Sequence, residues 1–163
     1  MRAPDGRPLV GEGAKDGTYY AVDRRTMRPR WKTSIGPGSA FGGILGSTAY
    51  DGQRVYGSNA ITGEVGALGR DGSVRWRSLD GGAFDFSPLA TANGVVYSLS
   101  PAGVLMARDA RTGAVLGRVS VGGPTFGGIS IARRALFVSV GIGPPPPPAP
   151  QSYGPGSIVA LTP

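Results

Sequence analysis

One short pattern recurs four times along the 163 residues: a glycine, three further residues, and then an alanine. The four alanines are Ala21, Ala67, Ala107 and Ala160, and the spacings between them are 46, 40 and 53 residues. Units of this length are supersecondary repeats that cannot bury their apolar faces alone. The repeat therefore constrains the chain to stack such units against one another.

Strand-like segments surround each copy of the pattern. A short apolar segment precedes every copy, and a turn and a further strand follow three of them, with Trp31 and Trp76 at equivalent places. An aromatic-led segment lies upstream of three copies, at residues 41–44, 86–89 and 126–129. Four strands in each unit of about forty residues are typical of a β-propeller blade.

The turn residues support the same interpretation. Asp51-Gly52, Asp71-Gly72 and Asn93-Gly94 supply the positive-φ positions that tight hairpins need. A sandwich would show similar turn spacing but has no reason for a four-strand repeat. We therefore predict an all-β fold, a partial β-propeller of about 3.5 four-stranded antiparallel blades.

We assign residues 1–163 to a single domain. Its predicted divisions are a partial blade 1 at 1–36, blade 2 at 37–82, blade 3 at 83–123, and a partial blade 4 at 124–163 with a Pro-rich loop at 143–155. A propeller closes with roughly 4 to 8 blades. The chain is therefore either a fragment of a longer polypeptide, which we favour, or a unit whose copies associate to close a ring.

Composition excludes several classes of function. The chain has no Cys and no His, so it cannot form a Cys/His zinc site, a thiol nucleophile or a Ser-His-Asp triad. The net charge is +7, but the basic residues are scattered, and the densest group, Arg24 to Lys32, lies in a predicted turn. We therefore predict no nucleic-acid partner. No apolar run is long enough for a membrane span.

The residues at 13–24, followed by Trp31, resemble the PQQ (pyrroloquinoline quinone) repeat, and residues 109–113 are a second match. Residues 35–44 and 126–161 resemble the polyvinyl alcohol dehydrogenase-like branch of the quinoproteins. The resemblance covers nearly the whole chain. It implies that the chain is the C-terminal part of a propeller whose remaining blades are its partners, and that the protein is periplasmic or extracellular.

The resemblance implies chemistry for the parent protein. A PQQ-dependent alcohol dehydrogenase would hold PQQ and Ca²⁺, and it would need an alcohol substrate and an electron acceptor. Lys15 stands where the family places a cation against the cofactor, whose three carboxylates and quinone oxygens favour such a partner. The other interpretation of Lys15 is a solvated loop lysine.

The rest of the family site is missing or altered. The family's catalytic and Ca²⁺-binding residues belong to earlier blades, so the catalytic residue is unknown, no metal ligand is assigned, and we expect the fragment alone to be inactive. Leu45 and Gly46 replace a family Trp, and Gly117 replaces the third Trp of the repeat. The alternative function is therefore a non-catalytic propeller that acts as a binding or scaffold module.

Three further features carry expectations. We expect Trp31 and Trp76 to pack between blades. Tyr19 and Tyr20 are adjacent in one predicted strand, so their rings should lie on opposite faces. Asp85 lies between two phenylalanines, and we hold it as a candidate functional carboxylate.

Overall fold

The computed structural model describes residues 1–79, 86, 88–141 and 156–162. Asp85 and the Pro-rich loop at 143–155 lie outside the described residues. The described part holds fourteen β-strands and contains no helix. The strands form four antiparallel sheets, each a meander in which sequence neighbours are hydrogen-bonded neighbours.

Two sheets come from the first half of the chain. Sheet 1 contains β1 (Leu9–Gly13), β2 (Thr18–Asp23) and β3 (Pro29–Ser34). Sheet 2 contains β4 (Ala49–Tyr50), β5 (Arg54–Ser58), β6 (Glu64–Gly69) and β7 (Val74–Leu79).

Two sheets come from the second half. Sheet 3 contains β8 (Ala90–Ala92), β9 (Val95–Leu99), β10 (Val104–Asp109) and β11 (Val115–Ser120). Sheet 4 contains β12 (Ile129–Ala132), β13 (Ala135–Val140) and β14 (Ser157–Leu161). The first strands of sheets 2, 3 and 4 contact one another in order. The sheets therefore converge on one side, as blades do, and the predicted partial propeller is confirmed.

Sheet 1 is partly completed by the start of the chain. Arg2 forms an antiparallel bridge with Pro8, next to β1. The Met1 ammonium donates to the Leu9 carbonyl at 3.0 Å, and the Leu9 N–H donates back to Met1 at 2.9 Å. Residues 1–3 thus lie beside β1 in the place that β4 and β8 fill in sheets 2 and 3.

The aromatic-led strands begin later than predicted. Residues 41–44 lie in the connection before β4, and of residues 126–129 only Ile129 is in a strand. The reason is that this connection bonds to loops rather than to a strand: the Ile44 N–H donates to the Ala14 carbonyl, and the Ala60 N–H donates to the Gly43 carbonyl. Gly43 has a φ of +83°, and a Cβ there would collide with the Lys15 backbone.

The repeated pattern has a structural cause at both of its ends. Its glycine directly precedes β2, β6 and β10, at Gly17, Gly63 and Gly103, with φ values of +80°, +69° and +78°. Its alanine pairs with Trp31 on β3, Trp76 on β7 or Gly117 on β11. A register shift follows each of these pairs. Ala21 and Ala67 are fully buried. A small side chain is needed there because the indole of the paired residue lies on the same face.

The indoles join each sheet to the next. Trp31 donates its ring N–H to the Arg70 carbonyl of sheet 2 at 3.1 Å, and Trp76 donates to the Ala110 carbonyl of sheet 3 at 3.0 Å. Each indole also packs near a tyrosine of its own sheet, with ring centroids 5.6 Å apart for Tyr19 and 5.9 Å apart for Tyr56. The expected packing role of both tryptophans is confirmed, and Tyr19 is buried whereas Tyr20 is exposed, as predicted.

Asp51 and Tyr56 form further hydrogen bonds where sheet 2 meets sheet 3. Asp51 accepts the backbone N–H groups of Gln53 and Arg54 at 2.7 Å and the Tyr56 hydroxyl at 2.6 Å. Partial burial raises the pKa of Asp51, but these hydrogen bonds outweigh it, and the carboxyl has a pKa below its usual range. Burial, reinforced by Asp51, raises the pKa of Tyr56. The hydroxyl therefore stays protonated as a donor.

Trp76→Ala is expected to lower the free energy of unfolding by about 3–5 kcal/mol, because a buried indole and its hydrogen bond are lost together. Urea unfolding followed by circular dichroism measures the change. Trp76→Phe is the matched control, since it keeps much of the ring but loses the donor, and it should cost less. Equal stability of the Ala variant and the native chain would contradict the packing role.

Stability is expected to fall in acid partly through Asp51. Its folded pKa lies below the ordinary value of 3.8, so its contribution is present above that value and is lost as the pH drops through the folded pKa. Asp51→Asn should flatten this part of the profile of urea midpoint against pH. An unchanged acid limb in the variant would show that Asp51 does not contribute to it.

Candidate functional site

The two ends of each sheet differ in the kind of connection they carry. The loops that join β1 to β2 (residues 14–17), β5 to β6 and β9 to β10 lie at one end of their sheets. The connections that cross from one sheet to the next lie at the same end. We call this end the loop face. The hairpin turns between β4 and β5, β8 and β9, β2 and β3, β6 and β7, and β10 and β11 lie at the opposite end, which we call the turn face. Lys15 is on the loop face.

Lys15 is positioned by the connection between sheets 1 and 2. Its carbonyl accepts the Ser39 N–H at 3.1 Å, and its Nζ donates to the Ala40 carbonyl at 3.2 Å. The side chain is exposed in this contact. The next residue along the connection, Phe41, is 83% exposed, so the Lys15 ammonium bonds to the residue that precedes an open aromatic ring.

Among the three equivalent loops that the structure describes, only the loop at residues 14–17 has a cation at this position. Equivalent loop hydrogen bonds, from Ala14 to Thr18, from Asn59 to Glu64 and from Ser100 to Val104, align the three loops. This alignment places Ala60 and Pro101 at the position of Lys15. The loop itself does not require a lysine, which makes Lys15 available for a contact outside the sheet.

The charges around Lys15 are mixed. Asp16 follows it directly and accepts the Tyr20 hydroxyl and the Thr18 N–H, and these bonds hold its pKa below the usual range. Asp16 is therefore ionised at neutral pH. One ammonium beside a carboxylate is a poor match for the three carboxylates of PQQ, so Lys15 and Asp16 alone would not balance the charge of that cofactor.

The other predicted site features are the altered Trp position at Leu45 and Gly46 and the carboxylate of Asp85. Leu45 and Gly46 lie in the connection before β4, and Asp85 is outside the described residues. Within the described residues no three His, Cys, Asp or Glu side chains gather as a metal site would require. Across the same residues, no helix has the length and apolar character for crossing a bilayer.

Arg108 was not singled out from the sequence. It lies on β10 and is 1% exposed; its guanidinium donates to the Ser98 hydroxyl at 2.7 Å and contacts the Met106 sulfur at 2.8 Å. Burial, together with the charge of Arg118, lowers its pKa to about 10, so it is charged at neutral pH. The repeat register could have revealed it, because Leu68 and Leu161 occupy the equivalent positions.

A cavity lies away from Lys15, between sheets 3 and 4. Its volume is about 520 Å³, and it is lined by Gly117, Tyr97, Leu136 and Leu161 among others. Gly117 is the residue that replaces the third Trp of the repeat. The loss of that indole therefore leaves accessible space between two blades.

Lys15→Ala is expected to leave the free energy of unfolding within about 0.5 kcal/mol of the native value, because the contact it removes is exposed. Thermal and urea unfolding test this. A loss well beyond that range would assign Lys15 a structural role and remove it as a clean variant for binding experiments.

The comparisons with known proteins agree with this geometry. The chain aligns with the crystal structure of BamB from Moraxella catarrhalis at a TM-score of 0.67 and 17% identity, over 85% of this chain and 45% of that one. It aligns with quinohemoprotein alcohol dehydrogenase ADHIIG from Pseudomonas putida HK5 at 0.69 and 17%, over 83% and 27% of the two chains.

A third alignment is to a protein of similar length. The computationally designed Ika4 protein matches at a TM-score of 0.69 and 16% identity, over 94% of this chain and 84% of that one. By contrast, the chain spans less than half the length of the two natural proteins above. At these identities the likeness shows the fold alone.

Sequence comparison identifies the family. No curated protein sequence is significantly similar to this chain. A family model described as outer membrane protein assembly factor BamB matches residues 15–139, which is most of the chain. The chain therefore belongs to this PQQ-repeat family, described as outer membrane protein assembly factor BamB.

Proposed function

We propose that this chain is a section of a larger PQQ-repeat propeller that acts as a non-catalytic binding scaffold, and that further blades cover its two end faces. The observation that supports further blades is the register of apolar residues on the outer faces of sheets 1 and 4. Each of these outer faces has the same pattern of apolar residues as one side of a buried interface between two sheets. The observation that favours a scaffold over a cofactor enzyme is the mixed charge at Lys15 and Asp16.

The outer face of sheet 4 has the pattern of a buried blade face. Ile158 lies two residues before the repeated alanine, as Val65 and Leu105 do in sheets 2 and 3. Those two residues are 1% and 3% exposed, whereas Ile158 is 76% exposed. Phe137, which pairs with Ala160 as Tyr97 pairs with Ala107, is also exposed. A neighbouring blade would bury this face.

The outer face of sheet 1 has the complementary pattern. Val10 pairs with Val22 as Val55 pairs with Leu68. Val55 is 2% exposed and packs against sheet 1, whereas Val10 is 45% exposed. Burial of apolar area at about 25 cal/mol per Å² favours covering both faces. The remaining blades of a parent polypeptide are the partners we propose, with the boundaries 36/37, 82/83 and 123/124 as blade junctions.

The family description indicates where such a scaffold would act. We propose a periplasmic or extracellular location, because the matching family is described as an outer membrane assembly factor. The loop face, with Lys15 and the exposed Phe41, is the surface that we propose meets a partner protein. An exposed aromatic ring next to a cation is a common composition for such surfaces.

The second candidate is PQQ-dependent alcohol oxidation by the parent, in the polyvinyl alcohol dehydrogenase-like branch. Lys15 favours it, because this cation stands alone among three equivalent loop positions of the described chain. When bound with Ca²⁺, PQQ would accept the electrons from the alcohol, and other blades would have to provide the catalytic residues. The mixed charge at Lys15 and Asp16 ranks this candidate below the scaffold.

Exposed end faces are expected to make the isolated chain associate and bind the dye ANS. Ile158→Glu should suppress both effects, because a charge on this face opposes burial. Leu79→Glu is the matched control, since Leu79 is also exposed, at 70%, but ends the fourth strand of sheet 2. Analytical ultracentrifugation and dye fluorescence measure the outcome. A monomer without dye binding would contradict the proposed end faces.

A second experiment separates the scaffold from the cofactor enzyme. Equilibrium dialysis of PQQ with Ca²⁺ against the full-length parent and its Lys15→Ala variant should show no binding to either protein if the scaffold proposal holds. Saturable PQQ binding that disappears in Lys15→Ala would overturn it in favour of the quinoprotein.

A further inference from the structure

We propose that the cavity beside Gly117 binds a small planar aromatic acid. The cavity lies between sheets 3 and 4, away from the loop-face residues Lys15 and Phe41. It is therefore independent of the proposed scaffold surface and of any PQQ site.

Two equivalent positions show what this space accommodates. Trp31 and Trp76 pair with the repeated alanines of sheets 1 and 2, as Gly117 pairs with Ala107 in sheet 3. Each indole lies between its own sheet and a turn of the next, and a Cβ added to Gly72 or Gly113 would collide with the ring. At Gly117 an added Cβ would meet nothing within 4 Å. Among the residues that the structure describes, the third interface thus has an open place where a flat ring fits.

The walls of the cavity suit an aromatic ring. Tyr97 is the equivalent of Tyr56, which lies beside the Trp76 ring at a centroid distance of 5.9 Å. With glycine at 117, Tyr97 faces the cavity instead of an indole. Leu136 and Leu161 form the opposite wall and belong to the apolar cluster between the sheets. Stacking on Tyr97 and burial between leucines would replace the missing intramolecular packing.

The charge at the cavity selects an acid. Arg134 lines it, and no acidic residue is among its lining residues. The Arg118 side chain lies on the opposite face of β11, towards Arg108. A carboxylate on the ligand would satisfy this positive potential through charge-assisted hydrogen bonds. At about 520 Å³ the cavity lies within the range of small-molecule sites rather than the flat surfaces that bind folded partners.

Arg134 belongs to a turn with unfavourable backbone angles. Arg133 and Arg134 form the two-residue turn between β12 and β13 with φ values of +48° and +67°. The equivalent turn in sheet 3 uses Asn93 and Gly94, the residues that suit such a turn. A non-glycine residue held in this region is unfavourable and tends to mark functional positions. Arg134 is also one of the residues that line the cavity.

The test uses indole-3-carboxylate and neutral indole as probes, followed by calorimetry and by amide shifts in nuclear magnetic resonance spectra. We expect saturable binding of the acid, with shifts at Gly117, Leu136 and Leu161. Gly117→Trp should fill the cavity, weaken binding by about tenfold or more, and raise the melting temperature. Leu116→Trp is the matched control, because the adjacent exposed residue adds an indole to the same strand outside the cavity, and its binding should be unchanged.

A second variant protects the test against misfolding. Arg133→Asn with Arg134→Gly relaxes the turn, so the chain should melt at a higher temperature. The same variant should bind indole-3-carboxylate several-fold more weakly while its affinity for indole stays the same. The proposal is wrong if neither probe saturates, if Gly117→Trp binds the acid as tightly as the native chain, or if the turn variant does not distinguish the two probes.

Discussion

The contact on which this structure depends is an indole that reaches from one sheet to the next. Trp31 and Trp76 each rest against a tyrosine of their own sheet, and their ring N–H groups donate to a turn carbonyl of the following sheet. The contact is partly apolar and partly directional, so it sets both the distance and the angle between blades. The repeated alanines are small because these rings need the space, and the same holds for the turn glycines Gly72 and Gly113.

The same interaction explains where the molecule differs from its own repeat. Sheets 1 and 2, and sheets 2 and 3, are joined by an indole, whereas sheets 3 and 4 meet around Gly117 and leave a cavity. Blades that all carried the Trp would have no such opening. The Arg133–Arg134 turn and the buried Arg108 are two further departures from the repeat, and both lie on sheets 3 and 4. The second half of the chain is thus the more specialised half.

The proposed scaffold and the second candidate, a quinoprotein, differ in what they need from the loop face. A scaffold needs exposed side chains on a rigid frame, and Phe41 and Lys15 provide them on a connection pinned by backbone hydrogen bonds. Cofactor chemistry needs several cations directed at one anion, and Asp16 beside Lys15 works against that. Exposed apolar faces on sheets 1 and 4 fit either function, because both require a closed ring.

Much of the fold was predictable because its determinants are local. Turn glycines, alternating apolar residues and the recurrent Trp are readable at fixed spacing, and they determined the all-β class, the four-strand unit and the packing role of the tryptophans. Residues 41–44 were predicted as a strand because Phe and Ile favour strands, but hydrogen bonds to the loop at Ala14 hold them in a connection. Arg108 was missed because a charged residue is usually assigned to the surface.

The sequence by itself thus determined the repeat and the sheet unit, since both follow from backbone geometry and from periodicity along one chain. Only the tertiary structure decided which faces stay open, that Gly117 leaves a cavity, and that Arg134 lies beside it. These features depend on how one sheet is placed against the next. Residues from different sheets meet there without any fixed spacing in the sequence.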